Sequence, residues 1–207
     1  MGDDRLIEEL YRRFHSAPEQ KYSARIARLR IDDLPFKDGD GAPCTSVEHL
    51  VRGDDKSGAA FDIFRLGWFG GRLWELVVID GAYLPHVHRK IDSEFVIFAG
   101  SGQLSRNAEW RPYREKSRVA VAMGTAHGFV TDPAAGATVF LSLQSDAIRK
   151  ISTDPKTHSE KSEDDFAYAD DEFPLPPGLC EMRKQKLATM IWAAKGDSAQ
   201  NFDVRRR

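Results

Sequence analysis

The chain has 207 residues, 41% of them hydrophobic and 10% aromatic, which is enough apolar material for one globular domain with its own core. Thirty lysine and arginine residues nearly balance 32 acidic ones, and the net charge of −2 leaves no basic excess to attract nucleic acid. No apolar stretch approaches the ~20 residues that span a bilayer, and the two cysteines form no paired framework. The composition predicts a soluble cytoplasmic protein that binds neither nucleic acid nor membrane.

Residues 1–44 are predicted to form an N-terminal helix and an extended lead-in. Within residues 3–15, apolar side chains recur on one helical face, and Asp3 and Asp4 offer an N-cap and an acidic first turn. A polar, turn-rich stretch ending in FKDGDGAPC follows. The members of the apolar face are Leu6, Ile7, Leu10, Tyr11 and Phe14.

Residues 45–150 are predicted to form a β-barrel. Short β-like runs start at about residue 61, and turn signals such as WFGG, GSG and TDPAAG separate them. Many short strands at close spacing are typical of an all-β sandwich or barrel. The runs are FDIFRL, RLWELVVI, SEFVIFA, GQLSR, RVAVA, AHGFVT and ATVFLSL.

The β pattern ends after Leu143. Residues 151–178 are acidic and then proline-rich, which predicts a linker. Residues 179–207 are predicted to hold a C-terminal helix, over 179–195, and a tail. Its methionine-containing apolar stripe favours a docking face against the barrel or a second subunit.

Three histidines suggest a metal site. His86 and His88 are two residues apart, and in an extended strand such residues point to the same face. His127 lies in another predicted strand, which a barrel can bring across the lumen. Three neutral imidazoles favour Fe, Zn, Cu, Ni or Mn over Mg or Ca. The competing interpretation is a solvated pair on an edge strand, and the placement of His127 in its own patterned strand favours the metal site.

The other histidines are His15, His49 and His158. No pattern of partner residues surrounds them in the sequence. We expect surface or structural roles for all three.

The segment GAYLPHVHRKIDSEFVIFAGSGQL, followed by AMGTAHGF, resembles the two sequence motifs of cupins. Gly81, His86, His88 and Gly100 correspond to the first motif, and Gly124 and His127 to the second. The resemblance covers about residues 61–145. It implies a cupin-like double-stranded β-helix, a jelly-roll barrel, around one divalent transition metal held by the three histidines.

The chain departs from the cupin motifs at the usual carboxylate ligand. Ser93 stands where the family usually has glutamate, with Asp92 and Glu94 on either side. Strand alternation turns both flanking residues away from the face of Ser93, although a bulge can restore either one. We expect Glu94 as the fourth ligand, with Asp92 or Ser93 as alternatives. If none of them binds, the site is a bare set of three histidines with about three positions open to water, substrate or O2. Lys116 also stands where the second motif usually has glycine.

Strand alternation also suggests residues that line a substrate pocket. The apolar candidates are Tyr83, Phe95, Ile97, Phe129 and Phe140, and the polar ones are Gln103, Arg72, Glu75 and Gln144. The alternative for each is an ordinary place in the core or on the outer face.

A metal site with open positions can carry out chemistry, which favours an enzyme. Cupins that lack the carboxylate, such as the thiol dioxygenases, use three histidines with ferrous iron, so we expect a non-haem iron oxygenase acting on a small metabolite. One alternative is an isomerase, epimerase or lyase that uses Zn, Mn or Ni as a Lewis acid. Another is a non-catalytic barrel that senses a ligand or binds a partner through the acidic linker and the last helix. Cupins are often dimers, so a homodimer is expected.

Overall fold

The computed structural model describes residues 2–51, 61–89, 91–107, 109–145 and 166–168. Two helices precede eleven strands. The helices are α1 (Asp3–Ser16) and α2 (Tyr22–Ala27). The strands are β1 (Glu48–Val51), β2 (Phe61–Phe69), β3 (Arg72–Ile79), β4 (Ala82–His88), β5 (Ser93–Ala99), β6 (Ser101–Arg106), β7 (Glu109–Arg114), β8 (Arg118–Val121), β9 (His127–Thr131), β10 (Thr138–Ser145) and β11 (Phe166–Tyr168).

The strands form two antiparallel sheets. The six-stranded sheet has the order β1-β2-β3-β10-β5-β8, and the five-stranded sheet has the order β11-β4-β9-β6-β7. Successive strands from β3 to β6 alternate between the sheets, and so do those from β7 to β10. Two facing sheets linked by such crossings make a jelly roll, in which the paired inner faces hold a core or a ligand.

An inner cluster of apolar side chains lies between the sheets. Strand alternation places these side chains on the inner face because successive residues point to opposite sides of a sheet. The six-stranded sheet contributes Ile63, Val77, Ile79, Phe95, Ile97, Val121 and Phe140, and the five-stranded sheet contributes Leu104, Tyr113, Phe129 and Val130.

An outer cluster covers the opposite face of the six-stranded sheet. Helix α1 packs its apolar face there, as the sequence predicts, with Leu6, Leu10 and Phe14 fully buried. Trp74, Leu76, Val96, Phe98, Leu141 and Leu143 of the sheet belong to the same cluster. The central strands of this sheet are therefore buried on both faces, which explains their nearly continuous apolar runs.

Some local predictions need correction. Gly2, not an aspartate, is the N-cap of α1, and Asp3 and Asp4 lie in the first turn. No clear pattern in the sequence predicts α2, β1 or β7, which are short or polar. Strand β11 lies within the segment predicted as a linker and pairs with β4.

The predicted helix at 179–195 lies outside the described residues. Among the helices that the structure describes, none is long and apolar enough to cross a membrane.

Candidate metal centre

A bulge in β4 shapes the histidine site. Tyr83 pairs with Phe129 and His86 pairs with His127, so β4 has one more residue between these pairs than β9. An extra residue of this kind resets the alternation of a strand. Tyr83 and His86 therefore share a face although they are three residues apart, and their ring centroids are 4.3 Å apart. Pro85 lies inside this bulge.

Gly128 allows β9 to pass close to the bulge. A Cβ atom at this position would lie 2.8 Å from the Pro85 backbone nitrogen and 2.9 Å from the Tyr83 carbonyl oxygen. These distances are shorter than any tolerated contact, so only glycine fits between His127 and Phe129 without displacing β4. A sequence signal for the close approach is the glycine inside an otherwise apolar strand.

The three histidines of the two motifs converge at this point. The ring centroids of His86 and His127 are 4.3 Å apart, those of His86 and His88 are 5.1 Å apart, and those of His88 and His127 are 5.4 Å apart. Each ring offers a nitrogen, and these nitrogens all lie within 4.8 Å of one another. Two nitrogens that bind one ion at ~2.1 Å lie at most ~4.2 Å apart, so a small inward movement of the rings suffices.

His127 has the hydrogen bonding of a metal ligand. Its Nδ1 lies 3.0 Å from the Thr125 carbonyl oxygen, which fixes the proton on Nδ1. Its Nε2 is buried and has no hydrogen-bond partner among the described residues. The His127 nitrogen that faces His86 and His88 therefore carries a free lone pair. Imidazole nitrogens of this kind suit a divalent transition metal.

Burial keeps the imidazoles of His88 and His127 neutral. It lowers the pKa of His88 to about 3, with a smaller contribution from the charge of His127. It also lowers the pKa of His127 to about 4, against the opposing effect of the hydrogen bond to Thr125. Metals bind the neutral form of imidazole, so no proton competes for these nitrogens at neutral pH.

The expectation that Glu94 is the fourth ligand is corrected by the structure. Its carboxylate accepts hydrogen bonds from Arg72, at 2.8 Å, and from Arg118. Glu94 lies beside Val96 on the outer face, because β5 keeps regular pairing with β10 from Ser93 to Ile97. Burial raises the pKa of the Glu94 carboxyl group, but the hydrogen bonds and charges of Arg118 and Arg72 outweigh this effect and lower the pKa overall.

The two alternative ligands also lie apart from the histidine cluster. The Asp92 carboxylate accepts a hydrogen bond from the backbone N–H of Met123 at 2.9 Å. Ser93 faces the lumen, as alternation predicts, and its buried hydroxyl has no hydrogen-bond partner among the described residues. Within the described chain the metal-binding group consists of three histidines without a carboxylate.

The candidate pocket residues divide into two sets. Phe95, Ile97 and Phe129 are buried in the inner cluster, the ring of Phe95 lies 5.5 Å from that of His127, and Tyr83 packs against the cluster beside His86. Two of the polar candidates require correction. Gln103 is exposed, because it points away from the lumen beside inward-facing Leu104. Arg72 shares the outer face with Trp74 and pairs with Glu94.

The remaining histidines take structural roles where they are described. The His15 ring Nε2 lies 2.8 Å from the Phe98 carbonyl oxygen. The His49 ring stacks on Phe64 and pairs with Asp62 at 3.1 Å. His158 lies outside the described residues.

Sequence reasoning missed two residues that the structure places in the site. Thr125 orients His127 through its backbone carbonyl, for which the sequence carries no signal. Ser142 faces the lumen from β10. Ser142 follows Phe140 by two residues, so strand alternation predicts that the two side chains share a face.

Comparison with known proteins yields similarity to solved structures. No protein-family model matches the chain, and no curated protein matches it. KdgF from Halomonas sp. is 18% identical, with 42% of this chain and 78% of that chain covered and a TM-score of 0.39. The cupin domain of Cnp3 from Schizosaccharomyces pombe is 11% identical, with 41% and 64% covered and a TM-score of 0.38. The DMSP lyase DddQ from Ruegeria pomeroyi is 18% identical, with 41% and 46% covered and a TM-score of 0.37.

Likenesses at this level carry no argument about activity. The fold follows from the strand order of the chain itself, with two facing antiparallel sheets and helices packed on the outer face of one of them. The fold class predicted from the sequence is confirmed as a double-stranded β-helix, or jelly roll, of two antiparallel sheets. His86, His88 and His127 are gathered between the two sheets.

Proposed function

We propose that the chain is a metal-dependent enzyme that acts on a small metabolite, and specifically a non-haem iron oxygenase. One observation carries this proposal: His86, His88 and His127 converge, and no carboxylate joins them among the described residues. A six-coordinate ion held by three imidazoles keeps about three positions for other molecules. That number suits an organic substrate that binds through two atoms together with O2.

The chain's own residues would hold the ion and keep water away from it. The three imidazoles are the ligands, and Thr125 fixes the tautomer of His127. Phe95 and Phe129 present apolar surface next to the ligands and exclude solvent. When bound at this site, ferrous iron supplies redox chemistry between O2 and the substrate.

A second candidate is a Lewis-acid isomerase, epimerase or lyase. Glu75, on β3, is buried on the inner face, and burial raises the pKa of its carboxyl group despite the opposing charge of Arg65. A buried carboxyl group whose pKa is raised is a common general acid or base. Such an enzyme uses Zn, Mn or Ni and requires no O2.

The first test is the metal content of the untagged protein, measured by mass spectrometry. We expect about one equivalent of a transition metal, since three histidines define a single site. The double variant His86→Ala/His88→Ala should lose it, whereas His15→Ala should retain it as the matched control. Absence of metal from the wild-type protein, even after reconstitution, would refute the proposal.

The second test separates the two reactions. The protein is loaded with ferrous iron without air, and O2 uptake is then followed with a panel of small metabolites. Substrate-dependent uptake that the double variant lacks would support the oxygenase. Conversion of a metabolite in the absence of O2, by protein loaded with Zn, Mn or Ni, would instead establish the Lewis-acid enzyme.

A further inference from the structure

Four polar side chains lie together on the inner face of the six-stranded sheet. Each is two or four residues from an inner-cluster residue of its own strand, Val77, Phe95 or Phe140, and therefore points the same way. The function considered so far uses only one of them. We name the group the lumen strip, and its members are Glu75, Ser93, Ser142 and Gln144.

The register of the sheet makes the lumen strip continuous and places it near the histidines. Ser142 pairs with Glu75 on one side and with Phe95 on the other. Gln144 pairs with Ser93 one step further along. Neighbouring strands lie ~5 Å apart, and the Phe95 ring lies 5.5 Å from that of His127. The strip therefore borders the surface that a molecule bound at the histidines would contact.

The lumen strip contains buried polar atoms without partners. Glu75 is 7% exposed, Ser93 4% and Ser142 2%. The Gln144 amide nitrogen donates a hydrogen bond to the Ser142 hydroxyl at 3.2 Å. The Ser93 hydroxyl and the Gln144 amide oxygen have no partner among the described residues. Unpaired buried groups of this kind are costly unless a ligand pairs with them.

The charges at the lumen strip favour a neutral ligand group. The Arg65 guanidinium Nε lies 3.6 Å from the Glu75 carboxylate and compensates its charge. The other members carry hydroxyl and amide groups, which both donate and accept hydrogen bonds. Hydroxyl groups match this set, whereas a second carboxylate would have to displace Arg65 from Glu75.

We propose that the lumen strip is a hydroxyl-recognition site for the substrate. The substrate class is a small hydroxylated acid whose carboxylate end contacts the metal and whose distal hydroxyl groups contact Glu75, Ser93, Ser142 and Gln144. This inference rests on the proposed function, because the metal is what holds the first end of the molecule.

The test uses two acids with the same metal-binding end. Threonate carries hydroxyl groups on carbons 3 and 4, and 2-hydroxybutyrate lacks both. Their affinities for the full-length protein loaded with cobalt(II) are measured by calorimetry and by the cobalt absorption spectrum, in a buffer free of hydroxyl groups. We expect threonate to bind at least about tenfold more tightly, since each hydrogen bond to the strip contributes about that factor.

Variants of the strip should abolish the preference and leave the metal in place. In Glu75→Gln and, separately, in Ser142→Ala, we expect the affinity ratio to fall towards one while cobalt binding and its spectrum without acid stay unchanged. Ser105→Ala is the matched control, because Ser105 is a buried serine that points away from the lumen beside inward-facing Leu104. It should keep the wild-type ratio.

The outcomes separate the two proposals. Equal affinities of the wild-type protein for the two acids, or binding of neither, would overturn the hydroxyl-recognition site and leave the metal site intact. A preference for threonate that persists in both strip variants would also overturn the hydroxyl-recognition site and leave the metal site intact. Failure of cobalt(II) to bind at all would overturn both proposals. Thermal unfolding of each variant shows whether it is folded. If Glu75→Gln does not fold, the affinity ratio of Ser142→Ala tests the hydroxyl-recognition site.

Discussion

Glu94 connects the six-stranded sheet to the first helix. Its carboxylate pairs with Arg72 and Arg118, and Arg118 also pairs with Asp4 of α1 at 2.6 Å. The side chain is 16% exposed, so these hydrogen bonds are partly shielded from water. A carboxylate with two such partners stabilises the outer face of the barrel and takes no part in the metal site.

Replacement of this carboxylate should affect stability and not metal binding. We expect Glu94→Gln to lower the free energy of unfolding by about 1–2 kcal/mol at pH 7, because charge-assisted hydrogen bonds to two arginines are weakened. Metal content should stay at the wild-type level. Urea denaturation and mass spectrometry measure the two quantities, with Glu8→Gln on the exposed face of α1 as the control. Loss of metal from Glu94→Gln would show that Glu94 is a ligand after all.

The pH dependence of the same variant has a defined sign. The arginines lower the pKa of Glu94 in the folded protein, whereas in the unfolded chain it stays near the ordinary value of about 4.3. The stabilisation is therefore complete above about pH 4.3 and is lost as the pH falls through the lowered value of the folded state. The stabilities of wild type and Glu94→Gln should converge in acid. A constant difference would contradict the ion-pair assignment.

At the scale of elements, the pair β4 and β9 forms the site. The bulge between Tyr83 and His86 turns Tyr83, His86 and His88 to one face, and Gly128 lets β9 pass beside Pro85. Both features act together, because a side chain on β9 at this point would occupy the space of the bulge. The positions of two of the ligands thus depend on a residue that has no side chain.

This dependence predicts the effect of a single methyl group. Gly128→Ala should destabilise the protein by about 1–3 kcal/mol, as overpacking does, and should also weaken metal binding at least about tenfold, because β4 must move. Gly136→Ala is the matched control. Gly136 has a positive φ of 76° with open space around it, so its alanine variant bears backbone strain without touching β4. Retention of full metal affinity in Gly128→Ala would contradict the role of the close approach.

At the scale of the molecule, the six-stranded sheet separates two apolar clusters. The outer cluster joins α1 to the sheet, and the inner cluster surrounds the site. Alternate residues of one strand serve each cluster, as Val96 and Ile97 do on β5. Stability of the helix side and ligand binding in the lumen are therefore separable properties.

A core variant on the helix side tests this separation. Leu10→Ala should lower the free energy of unfolding by about 2–4 kcal/mol, because Leu10 is fully buried against the sheet. The stabilisation that saturating metal adds, about 2.7 kcal/mol at 100 times Kd, should be the same as in the wild type, since distant sites act additively. Thermal and urea unfolding with metal or with chelator measure both terms, and Arg5→Ala on the exposed face of α1 is the control. A smaller metal effect in Leu10→Ala would show that the two faces are coupled.

The sequence by itself determined the fold class, the helix at the N-terminus and the three histidines. Local periodicity suffices for the helix and for the shared face of His86 and His88, because both follow from the geometry of one element. The strand pattern indicated an all-β sandwich or barrel, and the jelly roll followed from the resemblance to the cupin motifs. Strand alternation from Ser93 also predicted that Glu94 turns away from the lumen. The expectation that Glu94 is nevertheless a metal ligand set this alternation aside and was wrong. Regular pairing of β5 with β10 left no room for a bulge there.

Only the tertiary structure decided what each residue contacts. The bulge in β4, the close approach at Gly128 and the pairing of Arg72 with Glu94 depend on strands that are far apart in the sequence. The lumen strip likewise joins β3, β5 and β10. A strand's own pattern shows that its residues alternate, but the partner strand and the register determine which side is the lumen.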